Sequence, residues 1–211
     1  RMRREVEEQM ARELGDYALI VIARVKTPAN QATIGKNIVE IAKGWGVEPV
    51  DAVLRLIEEE EGSVSIIGHG MNPENVEKVL RHPLVMIGSD GSSMAPTGRA
   101  AEARPHPRSY GTFARVLGYY SRERKLFDLP EAVKKMTSMP ADQIGLRDRG
   151  RIARGLKADL VAFDAAAVRD EATFDNPHRY PTGIPYVLVN GAVVVERGEH
   201  TGAKPGRALR K

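Results

Sequence analysis

The chain has 211 residues, 42% of them hydrophobic and 28% charged, enough for about one to two domains with a real core. Apolar residues are spread throughout, which excludes a disordered, collagenous or low-complexity chain. No apolar run approaches the ~18 residues of a bilayer span, so a membrane partner is not expected. With no cysteine there is no disulfide framework, thiolate nucleophile or Cys-ligated zinc. Arg1 to Glu5 runs straight into a charged helical pattern without an apolar leader, so a cytoplasmic setting is expected. The net charge of +4 is concentrated at the ends, in Arg1 to Arg4 and in Lys204, Arg207, Arg210 and Lys211. Only 5% of the chain is aromatic and no basic stripe with interleaved aromatics occurs, so nucleic acid is not expected as a partner.

Met2, Val6, Met10 and Leu14 recur every four residues and predict a helix closed by Gly15. The apolar run Ala18 to Ala23 predicts a strand buried on both faces, as in a parallel sheet. Two helices follow, one with Ile38, Ile41, Ala42 and Trp45 on a face, the other opening at Pro49 with Val50, Val53, Leu54 and Ile57 inward. Ser63 to Ile67 predicts a short strand. Asn72-Pro73 predicts a helix start, with Val76, Val79 and Leu80 facing inward, and Leu84 to Ile87 the next buried strand. This βα rhythm is that of a parallel sheet or barrel, whose sites gather at the C-terminal ends of strands, where Asp90 falls.

Residues 91–108 form a loop longer than a structural link needs. A helical face with Phe113, Val116, Leu117 and Tyr120, a helix over Leu129 to Ser138 and a turn at Pro140 to Gly145 come next. After Gly150 the texture becomes β: Asp159 to Asp164 predicts a strand, and Asn190-Gly191 between Tyr186 to Val189 and Ala192 to Glu196 predicts a hairpin. These features divide the chain into 1–150, an α/β part, and 151–211, a smaller β part.

No Gly-x-x-x-x-Gly-Lys-Ser/Thr phosphate loop and no Gly-x-Ser-x-Gly elbow is present, which excludes nucleotide binding and serine hydrolysis of those types. The five histidines, His69, His82, His106, His178 and His200, stand singly, whereas a zinc hydrolase needs several N or O ligands converging at about 2 Å. On its residues alone, Asp90 reads either as a general acid/base at a strand end or as an Asp capping the turn before Gly91. Arg108 reads as a bidentate carboxylate clamp or as a surface arginine. His69, in Gly68-His69-Gly70, reads as a ligand or proton relay or as a solvent-facing loop histidine. His82, His178 and His200 read as structural or solvated.

Several stretches together carry a family likeness: Val85 to Gly91, His106 to Phe113, Met136-Thr137 with Pro140-Ala141, Asp148 to Val161, Asp170 to Phe174, Gly183-Ile184, Val189-Asn190-Gly191 and Thr201 to Arg207. In this order they resemble the C-terminal portion of the D-aminoacylase (N-acyl-D-amino-acid deacylase) family of the amidohydrolase superfamily. The resemblance implies the C-terminal part of a (β/α)8 barrel followed by a small β-sandwich portion. It also implies zinc-assisted hydrolysis of the N-acyl bond of a small N-acyl-D-amino acid. Asp90 then matches the family's proton-shuttling aspartate, with a weak metal contact. Arg108 matches the arginine that grips the substrate carboxylate, and His106 the residue that orients its loop. His69 departs from the bulky apolar or aromatic residue usual there and is a candidate metal contact. The family's main zinc ligands lie ahead of the matched part, so the chain resembles the last third of such an enzyme, inactive by itself and completed by the missing part of the barrel or by self-association. The alternative is a catalytically inactive module that self-associates or binds a partner.

Overall fold

The computed structural model describes residues 2–13 and 15–209. The predicted helix contact of Leu14, the side chains of Met2 and Met10, and the terminal basic residues Arg1, Arg210 and Lys211 lie outside the described residues. Backbone contacts divide the chain into two compact units, one of residues 1–72, 92–109 and 173–178, the other of residues 73–91, 110–172 and 179–211. No helix among the described residues is long and apolar enough to cross a membrane.

In the first unit, α1 (Met2–Glu13) precedes Gly15, whose φ of 72° is the left-handed turn that a glycine adopts without penalty. A short 3-10 turn at Tyr17–Leu19, capped by Asp16, delays β1 (Ile20–Arg24) by two residues relative to the apolar run. α2 (Ile38–Trp45) opens on a reciprocal capping box between Asn37 and Glu40 and ends at left-handed Gly46. Its buried residues are the predicted Ile38, Ile41 and Ala42. α3 (Pro49–Glu59) buries the predicted Val50, but with it Ala52 and Leu56 rather than Val53, Leu54 and Ile57, leaving Ile57 about half exposed (47%). The small Ala52 lets this helix approach the core more closely along a rotated face. Ile20, Ile22 and Val25 pack with α2 and α3 into one core, each buried branched side chain stabilising by about 1.5–3 kcal/mol.

β2 (Ser65–Gly68) pairs antiparallel with β1, with Ile20 opposite Gly68 and Ile22 opposite Ile66. This corrects the parallel pairing expected from the apolar run. One crossover helix returns the chain parallel, whereas the two helices between β1 and β2 add a further reversal.

In the second unit, α4 (Pro73–Arg81) has no fully buried residue; Val76 and Leu80 are half-buried and Val79 is exposed, so the predicted inward face is only partly used. Leu84 to Ile87 forms no strand, contrary to expectation. Its backbone is satisfied from α6 (Leu129–Met136) instead: Ile87 N–H donates to the Lys135 carbonyl at 3.0 Å, and Lys135 Nζ donates to the Val85 carbonyl at 2.9 Å. α5 (Arg108–Arg115) runs into a π-helical segment at Val116–Glu123. The predicted helical face turns accordingly: Val116 and Leu117 are buried, Tyr120 is half-buried and Phe113 is half exposed. The predicted turn at Pro140 to Gly145 is α7 (Ser138–Ile144), where Pro140 sits in the first turn and needs no N–H partner, and Gly145 ends the helix at φ 77°.

β3 (Leu160–Ala162), β4 (Tyr186–Val189), β5 (Ala192–Glu196) and β6 (Glu199–His200) make one antiparallel sheet in sequence order. The hairpin turn is the predicted Asn190-Gly191, with φ of 48° and 82°. The result is a mixed α/β chain; no closed barrel is formed among the described residues.

Two packing constraints yield tests. Glu60 is fully buried, and its carboxylate accepts from the Lys26 and Thr27 N–H groups, from Thr27 Oγ1 and from Asn30 Nδ2. Burial pushes this carboxyl up, but those bonds outweigh it and hold it at about 2, below its ordinary 4.5. A depressed folded pKa gives stability that is full above the ordinary value and lost as pH falls through the folded one. The midpoint of thermal unfolding therefore falls steeply between pH 4.5 and 2. Glu60→Gln lowers it at neutral pH and flattens that slope.

At Gly118 an added Cβ would lie 2.5 Å from the Val168 carbonyl. Gly118→Ala is expected to cost about 1–3 kcal/mol in urea unfolding.

Candidate functional site

Asp90 lies in the second unit, within the irregular stretch that begins at His82. Its backbone is left-handed, φ 46°, a region few non-glycine residues enter but one that Asp tolerates. Its side chain is exposed, and the turn around it is closed by the Gly91 N–H donating to Ser89 Oγ at 3.2 Å. Asp90 thus stands in a tight turn with its side chain exposed.

The other three candidates belong to the first unit. His69 follows β2, and its N–H donates to the Leu19 carbonyl at 2.8 Å, extending the β1–β2 pairing by one step. Its ring meets the edge of Phe174 at 4.6 Å between centroids. His106 meets the same phenyl at 4.9 Å and near-perpendicular, 80°. Phe174 therefore sits between two imidazoles. His106 Nδ1 also accepts from the Arg108 N–H at 3.0 Å, at the first residue of α5. That bond places the ring proton of neutral His106 on Nε2. The Arg108 side chain is exposed.

The 103–108 and 173–178 stretches are laced together. Arg104 Nη2 donates to the Asp175 carbonyl at 2.6 Å and pairs with its carboxylate at 3.5 Å. His178 Nε2 bonds the Ala103 carbonyl at 2.7 Å. The remaining histidines also serve backbone: His82 Nδ1 accepts from Leu84 N–H and His200 Nδ1 from Gly202 N–H. In the second unit, Tyr110 meets Tyr180 edge-on at 5.6 Å, and burial followed by the second phenol pushes its hydroxyl up.

Among the described residues no group of three or more His, Asp or Glu could hold a metal ion. The donors present do not fit a zinc site: Asp90 and His69, the two candidate contacts, are not part of such a group. A cavity of about 750 Å³ in the first unit is walled by residues including Arg24, Lys26, Gln31, Ser63 and Glu102. The candidate residues are not among those lining it.

Sequence reasoning did not single out Phe174 as the bridge between His69 and His106, nor Lys135. For Lys135 a trace was legible: a lysine on the α6 face that also carries Ala132 and Met136, where a solvated side chain does not belong.

With this geometry in hand, the chain can be placed among known proteins. A profile described as "Amidohydrolase family" matches residues 37–195. The chain belongs to the amidohydrolase family. It is 43% identical to N-acyl-D-glutamate deacylase of Alcaligenes xylosoxydans xylosoxydans over 177 residues, covering 84% of this chain and 34% of that protein. It is 41% identical to D-aminoacylase of the same organism, covering 83% and 34%. Among solved structures it resembles a D-aminoacylase described as defining a novel subset of amidohydrolases, with a TM-score of 0.76 and 39% identity over 87% of this chain and 36% of that one. It also resembles N-acyl-D-glutamate deacylase of Bordetella bronchiseptica, solved with zinc and a phosphonate mimic of the tetrahedral intermediate, with a TM-score of 0.75 and 37% identity over 88% and 36%. The chain spans about a third of the length of the curated relatives it matches.

His106→Ala removes the acceptor at the start of α5 and should cost about 1 kcal/mol in urea unfolding. His106→Asn, whose side chain bonds an N–H two residues on, should recover most of it.

Proposed function

We propose that this chain is part of a zinc-dependent amidohydrolase that hydrolyses the N-acyl amide bond of N-acyl-D-amino acids. The observation that carries the reading is the agreement of three relatives, deacylases of N-acyl-D-glutamate and N-acyl-D-aspartate and a D-aminoacylase, at 39–43% identity over 83–84% of the chain. Asp90, exposed on its left-handed turn, takes a proton from the attacking water and returns it to the leaving nitrogen, work that needs a carboxylate open to both. Arg108 holds the substrate carboxylate as a planar two-point donor, and His106 fixes the start of its helix. The zinc ligands come from the rest of the parent protein; His69 is a minor contact at most, and Asp90 acts chiefly on protons. In this reading residues 1–150 belong to a (β/α)8 barrel and 151–211 to a β-sandwich portion, which fits the placement of β3 to β6 after residue 150 and of every described helix before it.

A second reading, a catalytically inactive module that self-associates or binds a partner, draws on the exposure of Met71 (76%), Leu84 (77%) and Ile152 (89%). Adding the barrel portion that full-length relatives carry separates the two. Deacylase activity supports the enzyme; an inert oligomer indifferent to the addition supports the module.

In the intact enzyme, Asp90→Asn should lower kcat on N-acyl-D-amino acids by about 10²–10⁴-fold, measured by release of the free amino acid. Full activity in that variant removes Asp90 from the chemistry.

A further inference from the structure

Lys135 is the one lysine among the described residues that is buried, with 1% of its side chain exposed. An ammonium taken out of water costs several kcal/mol unless it is hydrogen-bonded. Its partners here are unusual. Nζ donates to two main-chain carbonyls, His82 at 2.7 Å and Val85 at 2.9 Å. A carboxylate oxygen, Glu131 Oε1, stands off at 3.9 Å, and the Phe127 ring at 5.9 Å. The main chain of the same residue completes the clamp, accepting from the Ile87 N–H at 3.0 Å. One residue of α6 thus holds the 82–87 stretch at three points.

A leucine or methionine would fill the same place on the face of Ala132 and Met136 at lower desolvation cost, but it would take the donor from the Val85 carbonyl and leave the His82 carbonyl with the Val85 N–H alone, at 3.1 Å. The Val85 carbonyl needs that donor because this stretch belongs to no sheet. What the clamp fixes is the approach to Asp90. Ile87, the last held residue, is buried in the second unit's core. It is followed by Gly88, Ser89 and then Asp90 at φ 46°. Only Gly88 and Ser89 lie between the held Ile87 and Asp90, so the course of the held segment sets where the turn that carries the carboxylate begins.

We propose that Lys135 is a positioning residue for Asp90, its buried ammonium and its own carbonyl together fixing the direction in which the 82–87 stretch delivers the Asp90 carboxylate. The inference rests on the reading of Asp90 as the proton-transferring group. A misplacement of about 1 Å at such a group can cost ~10²-fold in rate, while substrate affinity, carried elsewhere, is spared.

The test uses the intact enzyme and four variants: Lys135→Met, Asp90→Asn, the double variant, and Lys134→Met as the exposed neighbour control. Lys135→Met is expected to lower kcat by at least about tenfold, with KM changed by less than about threefold and Lys134→Met unchanged. In the Asp90→Asn background it should lower the residual rate no further, since a positioning effect vanishes with the group positioned. If Lys135→Met does not fold, Lys135→Gln, a donor of shorter reach, is measured by the same three readings. Wild-type kcat in a folded Lys135 variant, an equal loss in both backgrounds, or a KM effect as large as the kcat effect overturns the proposal. Full activity of Asp90→Asn instead overturns the reading beneath it, so the two failures are told apart.

Discussion

A charged group taken out of water has to find hydrogen-bond partners, and each compact unit of this chain uses one such group to satisfy backbone that no helix or sheet reaches. In the first unit the carboxylate of Glu60, at the end of α3, accepts from the N–H groups of Lys26 and Thr27, just past β1 where the chain leaves the sheet. In the second the ammonium of Lys135 supplies the carbonyls of His82 and Val85. The two are complementary: an anion for main-chain donors, a cation for main-chain acceptors. Each ties an irregular segment to a helix through bonds to main chain, and removing the charge removes those bonds.

How far the sequence discloses this depends on the range of the forces involved. The Asn190-Gly191 hairpin, the buried face of α2 and its capping box follow from residues within a few positions of one another, and they are legible. Pairing direction is not. The apolar run at β1 is compatible with either ladder, and only the count of intervening helices decides it. The Leu84 to Ile87 run has every local mark of a strand, but whether a neighbouring strand or a lysine some fifty positions away supplies its partners is a tertiary fact. The close approach of the Val168 carbonyl to Gly118, within the π-helical segment, is likewise a tertiary fact. Pro140 misled for a local reason, since it suits a helix's first turn as well as a bend.

The candidate site was legible as residue types and as a family pattern, and much less as geometry. Asp90, Arg108, His106 and His69 could all be named from motifs. What the motifs did not disclose is that Phe174 draws His69 and His106 to the same phenyl, or that Arg104 and His178 tie the segments carrying them. The Asp170 to Phe174 stretch, a family marker in the sequence, therefore has a physical role, since it supplies the ring around which the first unit's two candidate histidines are arranged.

A site that transfers protons needs its groups held within about half an ångström, and loops achieve this only when a second layer of contacts fixes them. Each unit has side-chain to main-chain bonds on the segments that carry candidate residues: Lys135 on the stretch before Asp90 in the second, and His106, Arg104 and His178 on the loop before α5 in the first. Contacts to main chain tolerate change in the side chains they support. A backbone held in this way keeps its course whichever side chains it displays.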